Sequence, residues 1–124
     1  MWPFNKHHHY SLKETIVYKS KRYGKTITVP KGYISDGASG AIDIYSDSWW
    51  VHDWICGNFH PDVDPDSPRP EGGVFDDGTL INNKQASQIL SDILQSEGRY
   101  WRAQYWYTFT WLFGGGKARE NGMW

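Results

Sequence analysis

Three residues in the first half of the chain carry side chains that could do acid–base or metal chemistry: Asp36, His52 and Asp53. A histidine together with two carboxylates can bind a divalent metal that activates water. Without a metal, the imidazole can act as a general base while a carboxylate fixes its tautomer. The catalytic hypothesis is therefore a small metal-dependent or His-dependent hydrolase of cell-wall or nucleotide material that uses these residues; its cofactor is open, and a divalent metal is the candidate.

The spacing of these residues limits that hypothesis. Neighbours on a helix point about 100° apart, so His52 and Asp53 flank a site rather than face one point. The alternative is structural, because an aspartate in a glycine-rich turn usually accepts backbone N–H groups and locks the loop. His52 would then donate to Asp36 and fasten the turn to the helix. We favour this structural contact over catalysis.

The turn itself lies in the stretch "PKGYISDGASG", which holds three glycines and one proline in eleven residues. Glycines adopt backbone conformations that other residues avoid, so the stretch predicts a tight loop. We assign structural roles there to four residues: Gly32, Ser35, Gly37 and Ser39.

A zinc site is a weaker hypothesis. His52 and Cys56 lie four residues apart, hence on one helix face, and His60 follows. Zinc needs four ligands, and the chain has no second cysteine and no clear fourth ligand. We therefore predict no dedicated metal site.

The elements that must position these residues can be read from the pattern. Two β-branched runs, about Leu12–Tyr18 and Lys25–Val29, predict a β-hairpin that Pro30 ends. A helix is predicted over Asp47–Cys56, with Ser46 or Asp47 as its N-cap and Gly57 as its stop.

The second half predicts two more helices. The stretch "NNKQASQILSDILQSEG" has apolar residues at helical spacing, with Asn82 or Asn83 as its N-cap and Gly98 as its stop. The stretch "RYWRAQYWYTFTWLFGGG" is apolar nearly all round, so we expect it to be the central buried helix or to dock on a partner. Residues 58–79, acidic and proline-rich, predict a long surface loop that could serve as a lid.

These elements predict an α+β fold: a small N-terminal hairpin or antiparallel sheet packed against about three helices. The 124 residues fit a single domain. Within it, residues 1–10 form an N-terminal arm and residues 114–124 a flexible C-terminal tail.

Composition bears on partners. The chain has 13 basic and 14 acidic residues, without the basic excess that a general nucleic-acid binder needs. No apolar run reaches the length of a membrane span, and the N-terminus lacks the apolar core of a signal peptide. Eight tryptophans and eight tyrosines exceed what a small core holds, so we expect a protein-binding surface. Its predicted residues are Trp2, Phe4, Trp106, Trp111 and Trp124.

The order of motifs resembles a family encoded mostly by bacteriophages, domain of unknown function family 1353. The resemblance runs from about Ile16 to Gly115 and rests on "VPKG", "SDGAS" and the His52–Asp53 pair. Two features depart from the family pattern: no proline follows the "SDGAS" turn, and Ser87 stands where the family tends to have an aspartate. If that aspartate is part of a site in the family, this chain lacks one of the site's acidic residues.

The resemblance implies phage context but no established activity. The favoured reading is a phage-encoded structural or accessory protein of the virion, in the tail, neck or baseplate. It would dock on other phage proteins, or on further copies of itself, through aromatic surfaces. The hydrolase is the alternative, and a counter-defence protein that binds a host factor or a signal molecule is a third. The expected location is the virion or the host cytoplasm.

Overall fold

The structure is a computed structural model that describes residues 10–35, 46–114 and 116–124. In these ranges four short strands precede four helices, so the chain is α+β, as the sequence predicts. The strands form two separate two-stranded antiparallel sheets. The helices pack beside the larger sheet and bury most of the core between them.

The larger sheet is a hairpin of β2 (Ile16–Ser20) and β3 (Lys25–Val29), with Tyr18 opposite Ile27. Alternation along β3 turns Ile27 and Val29 into the core, where both are fully buried. Burial of each such side chain contributes about 1.5–3 kcal/mol, so this face attaches the hairpin to the helices.

The first predicted strand, Leu12–Tyr18, starts too early, because only its residues from Ile16 onward belong to β2. Residues Tyr10–Ser11 form β1, which pairs with β4 (Ile34–Ser35), and Leu12 continues this pairing through its backbone bonds to Gly32 and Tyr33. The chain then bends and starts β2 at Ile16. Leu12 is buried, so its apolar character reflects the core and not membership of the hairpin.

Helix α1 spans Asp47–Cys56, as predicted. The side chain of Ser46 accepts a hydrogen bond from the N–H of Ser48, which confirms Ser46 as the N-cap. Gly57 ends the helix with a φ of 81°, a left-handed conformation in which glycine pays no steric cost.

Helix α2 spans Asn83–Ser96 and is the central helix, because it contacts α1, α3 and α4. Asn82 and Gln85 form a reciprocal capping box at its start. The predicted apolar stripe is confirmed: its members are all buried, namely Ala86, Ile89, Leu90, Ile93 and Leu94.

Helix α3 spans Tyr100–Phe113 and lies on the surface. The expectation that it is the central buried helix is wrong, because it buries only Ala103 and Thr110 fully. These two small residues lie seven positions apart on the side that packs on α2. An all-round apolar sequence therefore does not indicate burial here.

Residues 57–82 contain turns and one isolated bridge, between Val74 and Leu80. The second half of this segment is anchored to the core, because Phe75 is buried and Gly73 donates to Ile55 O at 2.6 Å. Asp76 accepts from both the N–H and the hydroxyl of Thr28. These contacts oppose the opening motion of a lid in that half.

The chain ends on the body of the protein rather than in a flexible tail. Helix α4 spans Lys117–Glu120, and its Ala118 is fully buried. Asn121 donates to the carbonyls of Gly73 and Ile81, at 2.9 and 3.0 Å. The last helix is therefore held by the segment that precedes α2.

Candidate functional site

His52 and Asp53 lie in the middle of α1 and both are buried. The imidazole contacts Cys56 one turn further on, with 3.8 Å between Nδ1 and Sγ, and its ring meets Trp49 edge to face. Asp53 instead accepts a hydrogen bond from the side-chain amide of Asn58. The two neighbours thus turn to different surroundings, as the 100° step of a helix requires.

The third member of the predicted set, Asp36, lies outside the described residues, as do Gly37 and Ser39. The predicted contact between Asp36 and His52 therefore stays a prediction. A different contact fastens this region to α1: the hydroxyl of Tyr33 donates to the carbonyl of Asn58 at 2.8 Å. Tyr33 is itself fully buried and packs its ring against Trp54 at 5.0 Å.

Two of the predicted structural residues of the turn are described. Gly32 has a φ of 91°, which glycine adopts without strain, and its N–H donates to Leu12 O at 2.8 Å. Ser35 is buried and pairs with Tyr10 in the small sheet. Both residues contact the first strand region, Gly32 through Leu12 and Ser35 through Tyr10.

Burial determines the protonation of the α1 side chains. Desolvation lowers the pKa of His52 to about 4, so the imidazole is neutral near pH 7. Desolvation, reinforced by the Asp53 charge, raises the pKa of Cys56 to about 12, which keeps the thiol protonated and unreactive. At the start of the helix, desolvation and then Glu97 raise the pKa of Asp47.

The described residues hold no group of three or more His, Cys, Asp or Glu side chains placed to share a metal ion.

A cavity of about 790 Å³ opens beside the first strands and is lined in part by Glu14, Asp47 and Trp50. His52 and Asp53 are not among the residues described around it. The cavity and the buried histidine therefore do not form one site within the described ranges.

The N-terminus of α1 is occupied by a carboxylate of the protein itself. Glu97 accepts from the hydroxyl of Ser46 at 2.6 Å and from the N–H of Asp47 at 3.2 Å. The positive end of a helix is the usual place for an anion. In this chain Glu97 fills it and joins the end of α2 to the start of α1.

Of the three predicted binding residues in the second half of the chain, two make internal contacts and one is exposed. Trp106 is half-buried and packs edge to face on Trp49, with ring centroids 5.0 Å apart. Trp111 donates its indole N–H to Met123 O at 2.9 Å and contacts the ring of Trp124. Both rings serve internal contacts, whereas Trp124 is 74% exposed. Trp2 and Phe4 lie outside the described residues.

The outer side of α3 carries an exposed aromatic surface whose residues were not among those predicted from the sequence. Its members are large, uncharged and at least 43% exposed: Trp101, Tyr105, Phe109, Leu112 and Phe113. We call this set the α3 face. The rings of Tyr105 and Phe109 stack with centroids 6.1 Å apart, and Phe109 contacts Phe113 at 5.2 Å, so these three rings are contiguous. Trp101 lies one helical turn before Tyr105 on the same side. Trp101, at 89%, is its most exposed member.

A signal for this face was present in the sequence. Ala103 and Thr110 are small, lie seven residues apart and mark the side on which a neighbouring helix can approach closely. The structure confirms this close approach, because Thr110 Oγ1 lies 2.8 Å from Ser87 Oγ of α2. Ser87, the residue at the departure from the family pattern, therefore belongs to the α2–α3 contact.

No described helix combines the length and the hydropathy that crossing a membrane requires. Comparisons of the chain with protein-family models, with curated proteins and with solved structures give no match.

Proposed function

We propose that this chain is a phage-encoded structural or accessory protein, carried in the virion, that docks on another protein through the α3 face. The observation that supports this proposal most is the concentration of exposed apolar side chains on one helix. Scattered exposed apolar residues are ordinary, but a contiguous patch of large ones is typical of an interaction site.

The chemistry of the face suits a protein partner. Tryptophan and tyrosine are enriched among the residues that contribute most to protein–protein binding, because they cover a large area with few rotatable bonds. Arg102 is the only charged residue of α3. The face therefore offers little to a polyanion such as a nucleic acid, which needs several basic side chains.

Support for the phage context comes from the order of the sequence motifs. A place in the tail, neck or baseplate belongs to the same proposal. The burial of His52 and the bonding of Asp53 to Asn58 favour a structural role for α1 over a hydrolytic one. No specific observation in the described residues favours the hydrolase.

Quantitative mass spectrometry of purified particles tests the proposal. We expect the wild-type chain to be present in particles and the variant Trp101→Ser/Tyr105→Ser to be depleted at least tenfold. The matched control is Val17→Ser, since Val17 is 55% exposed but lies on β2. Absence of the wild-type chain from particles, or equal incorporation of both variants, would overturn the proposal.

A further inference from the structure

We infer that the α3 face binds the α3 face of a second copy of this chain, with the two helices antiparallel about a twofold axis. This inference rests on the proposed docking role of the α3 face and names the partner. Four observations lead to it: the spacing of the exposed residues, the area of the face, the distribution of charge, and the order of large and small side chains.

The spacing suits a helix partner. Trp101, Tyr105, Thr108 and Leu112 follow one another at intervals of four, three and four residues. This is the interval pattern of the apolar seam of two packed helices. Thr108 does not interrupt the seam, because its hydroxyl bonds back to Gln104 O at 3.3 Å and leaves its methyl group for a partner.

The area of the α3 face is sufficient for a dimer. Aromatic side chains offer about 150–250 Å² each, and the members of the face are between 43% and 89% exposed. The face then presents roughly 600 Å² per copy, or about 1,200 Å² for a pair, which reaches the lower bound of stable specific interfaces.

Complementarity points to a second copy. The members of the α3 face carry no charge, and Arg102 at the start of α3 is the one charged residue of that helix. An apolar patch is best covered by another apolar patch, and within the described residues the exposed large apolar side chains outside α3 are scattered: Val17, Val63, Leu80 and Trp124. A twofold pair brings the same patch from both copies together, so each face is covered by its equal.

The order of side chains selects the antiparallel arrangement. There Trp101 faces Leu112 of the second copy, and Tyr105 faces Thr108, so large residues meet smaller ones. A parallel pair would set Trp101 against itself and leave a gap at Thr108. It would also bring the two Arg102 charges together, which antiparallel packing places at opposite ends.

Sedimentation equilibrium of the full chain tests the inference. We expect a monomer–dimer equilibrium in which Trp101→Ala raises the dissociation constant by about 30-fold or more, the effect expected for one hot-spot residue. The matched control Leu80→Ala removes a side chain that is 62% exposed elsewhere and should leave the dissociation constant unchanged. Circular dichroism checks that both variants are folded.

Disulfide trapping tests the orientation. At protein concentrations high enough to populate the dimer that the loss of Trp101 weakens, a mixture of the variants Trp101→Cys and Leu112→Cys should form the mixed disulfide, whereas neither variant alone should crosslink. In the antiparallel pair the two copies of position 101 lie about 16 Å apart along the helix axis, too far for a disulfide. The native Cys56 does not interfere, because it is buried. Crosslinking of each variant with itself, without the mixed product, would overturn the antiparallel arrangement.

Other outcomes separate this inference from the proposed function. The wild-type chain could stay monomeric while the Trp101→Ser/Tyr105→Ser variant is depleted from particles. That result would support docking through the α3 face and would overturn the pairing with a second copy. If the chain is a monomer that co-sediments with anionic phosphatidylglycerol vesicles, and Trp101→Ala abolishes this co-sedimentation, the α3 face binds a membrane surface instead. A monomer that dimerises only after Trp2→Ala/Phe4→Ala replacement would assign the face to the N-terminal arm.

Discussion

Trp49 of α1 and Trp106 of α3 meet edge to face, with their ring centroids 5.0 Å apart. The contact is part of a buried cluster with Leu90 and Leu94 of α2. Five residues along a helix correspond to a rotation of about 140°, so a helix that holds Trp106 inward turns Trp101 outward. This one contact therefore determines which side of α3 is left for a partner.

The two tryptophans of α3 should differ in their effect on stability. Trp106→Ala removes a ring from the buried cluster and should lower the free energy of unfolding by about 2–3 kcal/mol. Trp101→Ala should change the unfolding of the monomer by less than about 0.5 kcal/mol, because its ring is 89% exposed. Urea denaturation at low protein concentration measures both, and equal losses would contradict the orientation of α3.

His52 should make the fold sensitive to acid. In the unfolded chain the imidazole is protonated below its ordinary pKa of 6.5. In the folded chain desolvation lowers the pKa, so protonation of the imidazole is delayed until about pH 4. The unfolded state binds more protons in this window, so stability is lost as pH falls from 6.5 to about 4. The expected loss is about 3 kcal/mol, from the difference between the two pKa values.

Denaturation curves of the wild type and of His52→Gln at pH 7 and pH 4 test this dependence. The raised pKa of Asp47 acts in both proteins and cancels in their comparison. The variant should lose about 3 kcal/mol less than the wild type over the same pH range. Identical pH dependence in the two proteins would mean that His52 is not held neutral by burial.

Two glycines in the segment before α2 make a matched pair. Gly72 and Gly78 have φ values of 78° and 87°, so alanine is similarly strained at both. A Cβ at Gly72 would also lie 2.8 Å from the Cα of Gly57 and 2.7 Å from Cγ of Lys117, whereas nothing lies within 4 Å at Gly78. Gly72→Ala should therefore lower the melting temperature clearly more than Gly78→Ala. Equal effects in thermal unfolding would show that the segment is not anchored at Gly57 and α4.

The hydroxyls of Ser87 and Thr110 should be energetically coupled. They lie 2.8 Å apart at the α2–α3 contact, and both residues are buried. Ser87→Ala and Thr110→Val should each cost about 1–2 kcal/mol, and the double variant should cost less than the sum of the two. A strictly additive result in a double-mutant cycle would remove this hydrogen bond from the α2–α3 contact.

The sequence predicts correctly those helices and strands whose ends carry a capping or terminating residue. Ser46 and Gly57 delimit α1, and Pro30 follows the last residue of β3, so these bounds could be derived from the residues alone. The pattern assigns Leu12 to the hairpin, but Leu12 lies outside any strand and bonds to the backbone near β4, because apolar alternation does not reveal which backbone a segment pairs with. That choice depends on Tyr33, twenty-one residues further along the chain.

For the candidate site, too, the sequence predicts local features, whereas the direction of each side chain depends on tertiary contacts. The sequence rightly indicates that α3 is aromatic, yet it favoured Trp106 and Trp111 as binding residues, and both rings pack internally. The direction in which a ring points depends on the neighbouring helix. The contacts of Ala103 and Thr110 with α2 agree with the Trp49–Trp106 contact in turning Trp101 outward.

Hydroxyl-radical footprinting compares the same side chains in the dilute isolated chain and in purified particles, and it addresses docking through the α3 face most directly. Trp101, Tyr105 and Phe109 should be oxidised readily in the dilute chain and protected at least fivefold in particles. Tyr33 and Ile89, both fully buried, should stay protected in both samples. Equal oxidation of Trp101 in the free chain and in particles would contradict the assignment of the α3 face as a docking surface.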